Sequence, residues 1–251
     1  MLMNEIPFVL LAFFILGSYV QTITGFAFGL VVMSAAALFS LVPLDVAAFV
    51  VSVLSLINSV TGLAGGLWRE AKVKVLLVFF LGSIPATVFG VYLLSSLESG
   101  ALHWLQLFLG ITIMLACGMS LIKPKKNPTE SKPWAFFLCG GFAGVLGGLF
   151  STAGPPISYL MYRQPVSLNV IRASLLSVFF ISCLTRIGIT SVAGQVTMEM
   201  IWLSVIGIPC VFLATLLAKR YPPNVPPETI KRAAMVLLFL SGISLSLKAV
   251  F

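Results

Sequence analysis

Two short stretches of this sequence combine hydroxyl, amide and glycine residues within otherwise apolar segments, at residues 21–29 and 140–156. Hydroxyls and amides donate hydrogen bonds, and glycines let a ligand approach the backbone closely. This combination suits a small tetrahedral or pyramidal oxyanion. The candidate binding residues are Gln21, Thr22, Thr24, Gly25, Ser151, Thr152 and Gly154, and Gly29, Gly147 and Gly148 add room beside them.

The pair Pro155-Pro156 closes the second stretch and predicts a break in a helix. Proline cannot sit inside a helix, but it suits the first turn of a new one. We therefore predict a helix that stops here and a second that starts, with Ser151 or Thr152 as its cap. Residues 21–25 predict a similar break between helices over 8–20 and 26–39.

Helices that start in mid-membrane offer unpaired N–H groups and positive ends, each equivalent to about half a charge. Paired interruptions in two halves of a chain point to the substrate site of a transporter. The alternative is that the glycines only pack helices closely, as small residues do in most membrane interfaces. The Pro-Pro pair beside Ser151 and Thr152 favours a functional break.

Three further polar residues lie inside apolar segments. Arg172 follows the start of a helix predicted near Leu168 and either binds an anion or snorkels to the interface. Arg186, about 21 Å further along that helix, is either an outer counterpart or an interfacial anchor. Asn58 either lines a pore or hydrogen-bonds between helices.

Composition defines an integral membrane protein. The 251 residues are 59% hydrophobic and 9% charged, with a mean hydropathy of +1.11. The net charge of +8 does not indicate nucleic-acid binding, because the basic residues lie in short loops between apolar runs. We expect no metal, no cofactor and no catalytic residue, since the sequence has no metal-ligand spacing, no nucleotide-binding loop and no nucleophile–base pair.

The chain divides into two halves of similar plan. A basic, proline-rich linker at residues 123–133 separates a first membrane repeat, 1–122, from a second, 134–251. Ile84-Pro85 in the first half recurs as Ile208-Pro209, 124 positions later. The predicted fold is all-α and polytopic, with two inverted repeats of about four helical segments, the first segment of each broken or re-entrant.

The distribution of charge favours one topology. If each broken segment enters the membrane and returns, only Arg186 and Lys248 of the 15 Lys and Arg face outward. If all segments span, the charges divide evenly, against the positive-inside rule. The first arrangement places the N-terminus outside and inverts the two halves. The length of the broken segments also admits one long, kinked, tilted span, so the hairpin is favoured and not settled.

The two stretches resemble signatures of the TauE/SafE family, the sulfite-exporter superfamily. Residues 21–29 are similar to its first repeat, 140–156 to its second, and 171–175 to its Phe-Arg-Ala-Thr-Leu stretch. The resemblance covers nearly the whole chain. Departures are Ala27 and Ala153, where members often have glycine, and Ile171 and Ser174. It implies export of sulfite, a sulfonate or a related sulfur oxyanion across the cytoplasmic membrane of a prokaryote.

The expected function is therefore secondary transport of a small anion by alternating access, in a multi-pass protein of the cytoplasmic membrane. The expected partners are the anionic substrate and the lipid bilayer, with no nucleic acid, and a homodimer is left open. Two rival hypotheses remain: an uptake permease for the same anions, and a membrane scaffold without a substrate. An enzyme is not expected.

Overall fold

A computed structural model describes residues 8–96, 102–121 and 127–221, and from the last segment residues 229, 236, 239–244 and 246–247. These residues are helical and turn structure without a β-strand. The α-helices are α1 Phe8–Thr24, α2 Phe28–Leu38, α3 Leu44–Leu63, α4 Val73–Ser96, α5 Leu102–Leu121, α6 Pro133–Phe150, α7 Gly154–Tyr162, α8 Leu168–Val192 and α9 Met198–Arg220. A 3-10 helix, Leu67–Glu70, joins α3 to α4.

Five helices are long and apolar enough to cross a bilayer, which needs about 20 residues. They are α3, α4, α6, α8 and α9. Large apolar side chains such as Leu81, Phe142 and Leu213 are exposed on their outer faces, as a lipid-facing surface requires. The prediction of an all-α, polytopic membrane protein is confirmed.

The first predicted break lies later than the sequence indicated. Gln21 to Thr24 complete the last turn of α1, and the chain leaves the helix at Gly25, whose φ is +83°. The hydroxyls of Thr22 and Thr24 donate to the carbonyls of Ser18 and Val20, one turn back, each at 2.8 Å. Thr22 therefore bonds within the helix, whereas the hydroxyl of Thr24 also lies 2.7 Å from the carbonyl of Phe26, across the break. The prediction that the helix is interrupted from Gln21 is wrong, because the break starts at Gly25.

Ala27 is the residue before α2, and its φ is +95°. This left-handed conformation costs an L-residue about 1–2 kcal/mol but costs glycine little. We expect Ala27→Gly to raise the free energy of unfolding by about 1 kcal/mol, measured by thermal unfolding in detergent. Ala35→Gly, inside α2, should lower it by about the same amount. Equal effects of the two changes would contradict the strain at Ala27.

The second predicted break lies where the sequence places it. α6 ends at Phe150, Ser151 has a φ of 54°, and α7 starts at Gly154 with prolines in its first turn. The predicted cap is wrong: Ala153 occupies the cap position, with no side-chain hydrogen bond. Ser151 instead closes α6, because its N–H donates to the carbonyl of Gly147 at 3.0 Å.

Both broken segments double back as hairpins. In the first, the rings of Phe13 on α1 and Phe39 after α2 lie 6.1 Å apart. In the second, Gln164 after α7 donates to the hydroxyl of Ser131 before α6, at 2.9 Å. A kinked, continuous span would keep these partners far apart, so each broken segment folds back on itself. That each hairpin returns to the membrane face from which it entered stays a prediction.

Helices α4 and α6 pack backbone to backbone through glycines. A methyl group at Gly140, Gly144 or Gly148 of α6 would lie 2.2–2.5 Å from a carbonyl oxygen of α4, and Gly82 and Gly90 of α4 are equally close to α6. The packing interpretation therefore applies to these glycines. This contact fixes the second hairpin against a helix of the first half.

The remaining sequence predictions concern the plan of the chain. The predicted linker, 123–133, falls partly outside the described residues, as do the N-terminus and much of the last predicted segment. Within the described part, Lys72 at the start of α4 forms an ion pair with Glu130 of the linker. The repeat boundaries 1–122 and 134–251 stay predictions.

Candidate functional site

The tips of the two hairpins meet inside the protein. A methyl group at Gly29, near the start of α2, would lie 2.7 Å from the carbonyl oxygen of Ser151. A methyl group at Gly154, the start of α7, would lie 3.3 Å from the Cβ of Phe26. The two half-helix starts are therefore neighbours, as predicted, and the small residues let them approach.

A polar cluster lies at the tip of the second hairpin. The hydroxyls of Ser151 and Ser52 are 2.7 Å apart. One turn further along α3, the hydroxyl of Ser55 accepts a hydrogen bond from the amide of Gln21 at 3.1 Å. These side chains are buried, so the cluster is closed to solvent in this structure.

Arg186 supplies the charge of this cluster. It is 3% exposed, and its Nη1 donates to the carbonyl of Gly147 at 3.0 Å. Among the residues that the structure describes, no carboxylate lies within 4.0 Å of it. Its Nε has no hydrogen-bond partner. The carboxylate of Asp45, at the start of α3, acts on it electrostatically from beyond that distance. A buried cation without a directly paired carboxylate is costly in a membrane protein, and this is a mark of function.

Two buried hydroxyls, one at the second hairpin tip and one on α8, are also without partners. Thr152, 1% exposed, follows the turn residue Ser151, and its Oγ1 forms no hydrogen bond. Ser182, one helical turn before Arg186 on α8, has an Oγ that is equally unpaired. Buried polar groups are normally paired, so this part of the protein has three donors that its own atoms do not satisfy.

Arg172 lies at the other hairpin. Its Nη2 donates to the carbonyl of Thr22 at 2.6 Å, and the hydroxyl of Tyr162 donates to the carbonyl of Thr24 at 3.0 Å. Both bonds satisfy the last turn of α1, where the helix dipole favours a cation. The partly buried side chain is directed at α1. The choice between anion binding and snorkelling stays a prediction, because nothing in the described parts of the chain marks the membrane interface.

Asn58 joins three helices. Its Nδ2 lies within 3.1 Å of oxygens of Ser18 and Thr22 on α1 and of Thr215 on α9. This is the interhelical hydrogen bonding expected of a buried amide. Asn58 therefore lies behind α1, and its hydrogen bonds go to α1 and α9 and not to the cluster around Arg186.

The structure thus divides the predicted site residues between three places. The members at the second hairpin tip are Gln21, Ser151, Thr152, Gly154 and Arg186. Those at the first tip are Thr22, Thr24, Gly25 and Arg172, with Gly25 packed 3.3 Å from Leu175 of α8. Sequence reasoning missed Ser182, which its one-turn spacing from Arg186 signals, and Tyr162, which nothing in the sequence signals.

Comparison with known proteins identifies the family of the chain. A family model described as "Sulfite exporter TauE/SafE" matches residues 9–245. A Cupriavidus necator protein named "Probable sulfite/organosulfonate exporter TauE" is 36% identical over 238 residues, covering 93% of this chain and 91% of that protein. A Comamonas testosteroni protein named "Probable inner membrane transporter protein TsaS" is 28% identical over 190 residues, covering 73% and 77%. No solved structure matches the chain.

The family match and the apolar helices describe the same kind of molecule. The match extends from α1 through the last segment, so it covers both hairpins and the helices between them. With five helices able to span a bilayer, the protein is a multi-pass protein of the cell membrane. The chain belongs to the TauE/SafE family of sulfite exporters.

Proposed function

We propose that this chain exports a small sulfur oxyanion, sulfite or a sulfonate, and binds it between the two hairpin tips. The observation that carries the proposal is the burial of Arg186 without a carboxylate partner among the described residues, beside two half-helix starts. The choice of a sulfur oxyanion as substrate rests on the name of the Cupriavidus necator relative, "Probable sulfite/organosulfonate exporter TauE".

Each donor at the second tip has a role in this proposal. The guanidinium of Arg186 balances the charge of the anion, and its free Nε donates to one oxygen. Thr152 donates its unpaired hydroxyl to a second oxygen. The backbone N–H groups at the starts of α2 and α7 face a third, with the positive ends of both helices. Ser151, Gly154 and Gln21 shape the site around these donors.

Transport then requires the tips to separate. Arg172 and Tyr162 connect the end of α1 to α8 and α7, so they hold the first hairpin against the second half. We propose that these two bonds break when the site opens toward the cytoplasm. Thr24 and Gly25, with the backbone carbonyl of Thr22 that Arg172 releases, would then line the inner path of the anion.

Inverted repeats would let the two halves exchange roles during this movement. Two features support the repeat. Pro85 lies inside α4 and Pro209 lies inside α9, at the positions the alignment of the halves predicts. Lys219 at the end of α9 donates to the carbonyls of Thr61 and Ala64 at the end of α3, each at 2.9 Å, so predicted cytoplasmic ends lie together.

Flux into proteoliposomes tests the proposal. We expect radiolabelled sulfite and sulfonates, but not carboxylates, to move faster than through empty liposomes, with and without a pH gradient. Flux measured from either face separates export from uptake. If none of these anions moves faster than through empty liposomes, the chain is a scaffold and the proposal is wrong.

Thr152→Val gives a sharper version of this test. The change removes a hydroxyl that has no partner in the protein, so the free energy of unfolding should not fall. Flux of sulfite should fall about tenfold or more, since a hydrogen bond to a charged group contributes about 1.5–3 kcal/mol. Thr87→Val is the matched control, because that buried hydroxyl donates only to the carbonyl of Ser83 in its own helix. A similar loss of flux in both variants would contradict a role for Thr152 in binding.

A further inference from the structure

Behind α1, four oxygen atoms surround one buried nitrogen. The Nδ2 of Asn58 lies 3.1 Å from the carbonyl oxygen of Ser18, 2.9 Å from its hydroxyl, 3.0 Å from the hydroxyl of Thr22 and 2.8 Å from that of Thr215. All four residues are at most 2% exposed. An amide NH2 group has two hydrogens, so it cannot satisfy four oxygens.

The hydroxyl hydrogens of this oxygen cage (Ser18, Thr22 and Thr215) have acceptors elsewhere. Thr22 donates to the carbonyl of Ser18 at 2.8 Å, and Thr215 donates to the carbonyl of Val211 at 2.7 Å. Ser18 donates to Val211 or to Thr215. The lone pairs of the hydroxyl oxygens are therefore free to face the position of the nitrogen.

Two further observations indicate a positive ligand. The other amide atom, Oδ1 of Asn58, is buried and has no hydrogen-bond partner. Ser18 and Thr22 lie in the last two turns of α1, and the C-terminal end of a helix carries about half a negative charge, which the cage shares with Arg172 at the carbonyl of Thr22. Ends of interrupted helices and their carbonyl oxygens bind sodium in other transporter folds.

We propose that this cage binds one alkali-metal cation, which takes the place of the Asn58 nitrogen. The Asn58 side chain turns so that Oδ1 becomes the fifth oxygen ligand. The ligands are neutral, which suits a monovalent rather than a divalent ion. The bound ion holds α1, α3 and α9 together and so links the position of the first hairpin to the ion gradient.

Thermal unfolding of the purified full-length protein in detergent tests the proposal. At equal ionic strength, sodium or potassium chloride should raise the midpoint by at least about 2–4 °C relative to choline chloride. Thr215→Val removes one ligand oxygen and should abolish this shift. Ser204→Ala, on the same helix, should keep it, because its buried hydroxyl donates only to the carbonyl of Met200. Comparing the two salts identifies the preferred ion.

Direct binding of radiolabelled sodium, with potassium as competitor, gives a second measurement. We expect one saturable site per chain and at least a tenfold loss of affinity in Thr215→Val. If Thr215→Val does not fold, Ser18→Ala tests the same cage. No salt-specific shift and no saturable binding, or equal behaviour of Thr215→Val and Ser204→Ala, would overturn the proposal. Neither experiment measures anion flux, so their outcome is independent of the proposed export.

Discussion

Replacing Arg186 with methionine should abolish anion flux and leave the free energy of unfolding unchanged or higher. The guanidinium is buried and donates a hydrogen bond to the carbonyl of Gly147. In the described parts of the chain no carboxylate lies within 4.0 Å of it, and Asp45 acts on it from a longer distance. Replacing buried charge by an apolar side chain of similar volume is often neutral or stabilising by about 1–4 kcal/mol. Losing one partner of a buried charge pair costs about 2–5 kcal/mol in binding, which is at least about 30-fold in affinity.

A loss of anion flux together with an unchanged or higher free energy of unfolding distinguishes a binding role of Arg186 from a structural one. If Arg186 served only to cap α6, its replacement would lower the free energy of unfolding, because the carbonyl of Gly147 would lose one of its donors, and flux per folded protein would stay normal. Arg69→Met is the control for removing a cation, since Arg69 is exposed beside Trp68 in the loop after α3. Flux of sulfite into proteoliposomes and thermal unfolding in detergent are the measurements. A stable fold with normal flux, or a fold that collapses, would each contradict the role assigned to Arg186.

The two arginines of α8 contact different hairpins. They lie 14 residues apart, which is about 21 Å along a helix. Arg172 donates to the last turn of α1, and Arg186 donates to the last turn of α6. One straight helix therefore contacts the ends of both interrupted helices. We infer that movement of either hairpin changes the position of the other through α8.

Local chemistry made part of this arrangement predictable. Pro155 and Pro156 can stand only at a helix start, so the second break was predicted from the sequence. The hydropathy of the segments likewise predicted an all-α membrane protein. The pairing of the two tips followed from placing matching breaks in two halves. The breaks and the helices depend on residues that are close together in the chain, and the pairing of the tips was inferred from the similarity of the two halves.

Features that depend on a choice between local hydrogen bonds, or on distant residues, were not predictable. Thr22 and Thr24 were predicted to lie in a break, but their hydroxyls also bond one turn back and the helix continues to Thr24. Ser151 read as a cap for α7, but it adopts a left-handed conformation that closes α6. The partner of Asn58 on α9, Thr215, is 157 positions away. Sequence spacing gives no measure of such contacts.

The largest effect on folding should come from Gly148 of α6. A methyl group there would lie 2.5 Å from the carbonyl oxygen of Thr87, 2.7 Å from the Cα of Gly90 and 2.8 Å from the N of Val91. All three atoms belong to the backbone of α4, so no side chain can move aside. We expect Gly148→Ala to separate the two helices and lower the free energy of unfolding by about 1–3 kcal/mol or more.

Gly141, seven residues earlier on the same helix, is the matched control. A methyl group there meets nothing within 4 Å, so Gly141→Ala should raise the free energy of unfolding by up to about 1 kcal/mol through helix propensity alone. The fraction of monodisperse protein after solubilisation and the unfolding midpoint are the measurements. Because α6 carries the tip that holds Ser151 and Thr152, flux should also fall in Gly148→Ala and not in Gly141→Ala. Equal effects of the two alanines would show that α4 and α6 are not in backbone contact.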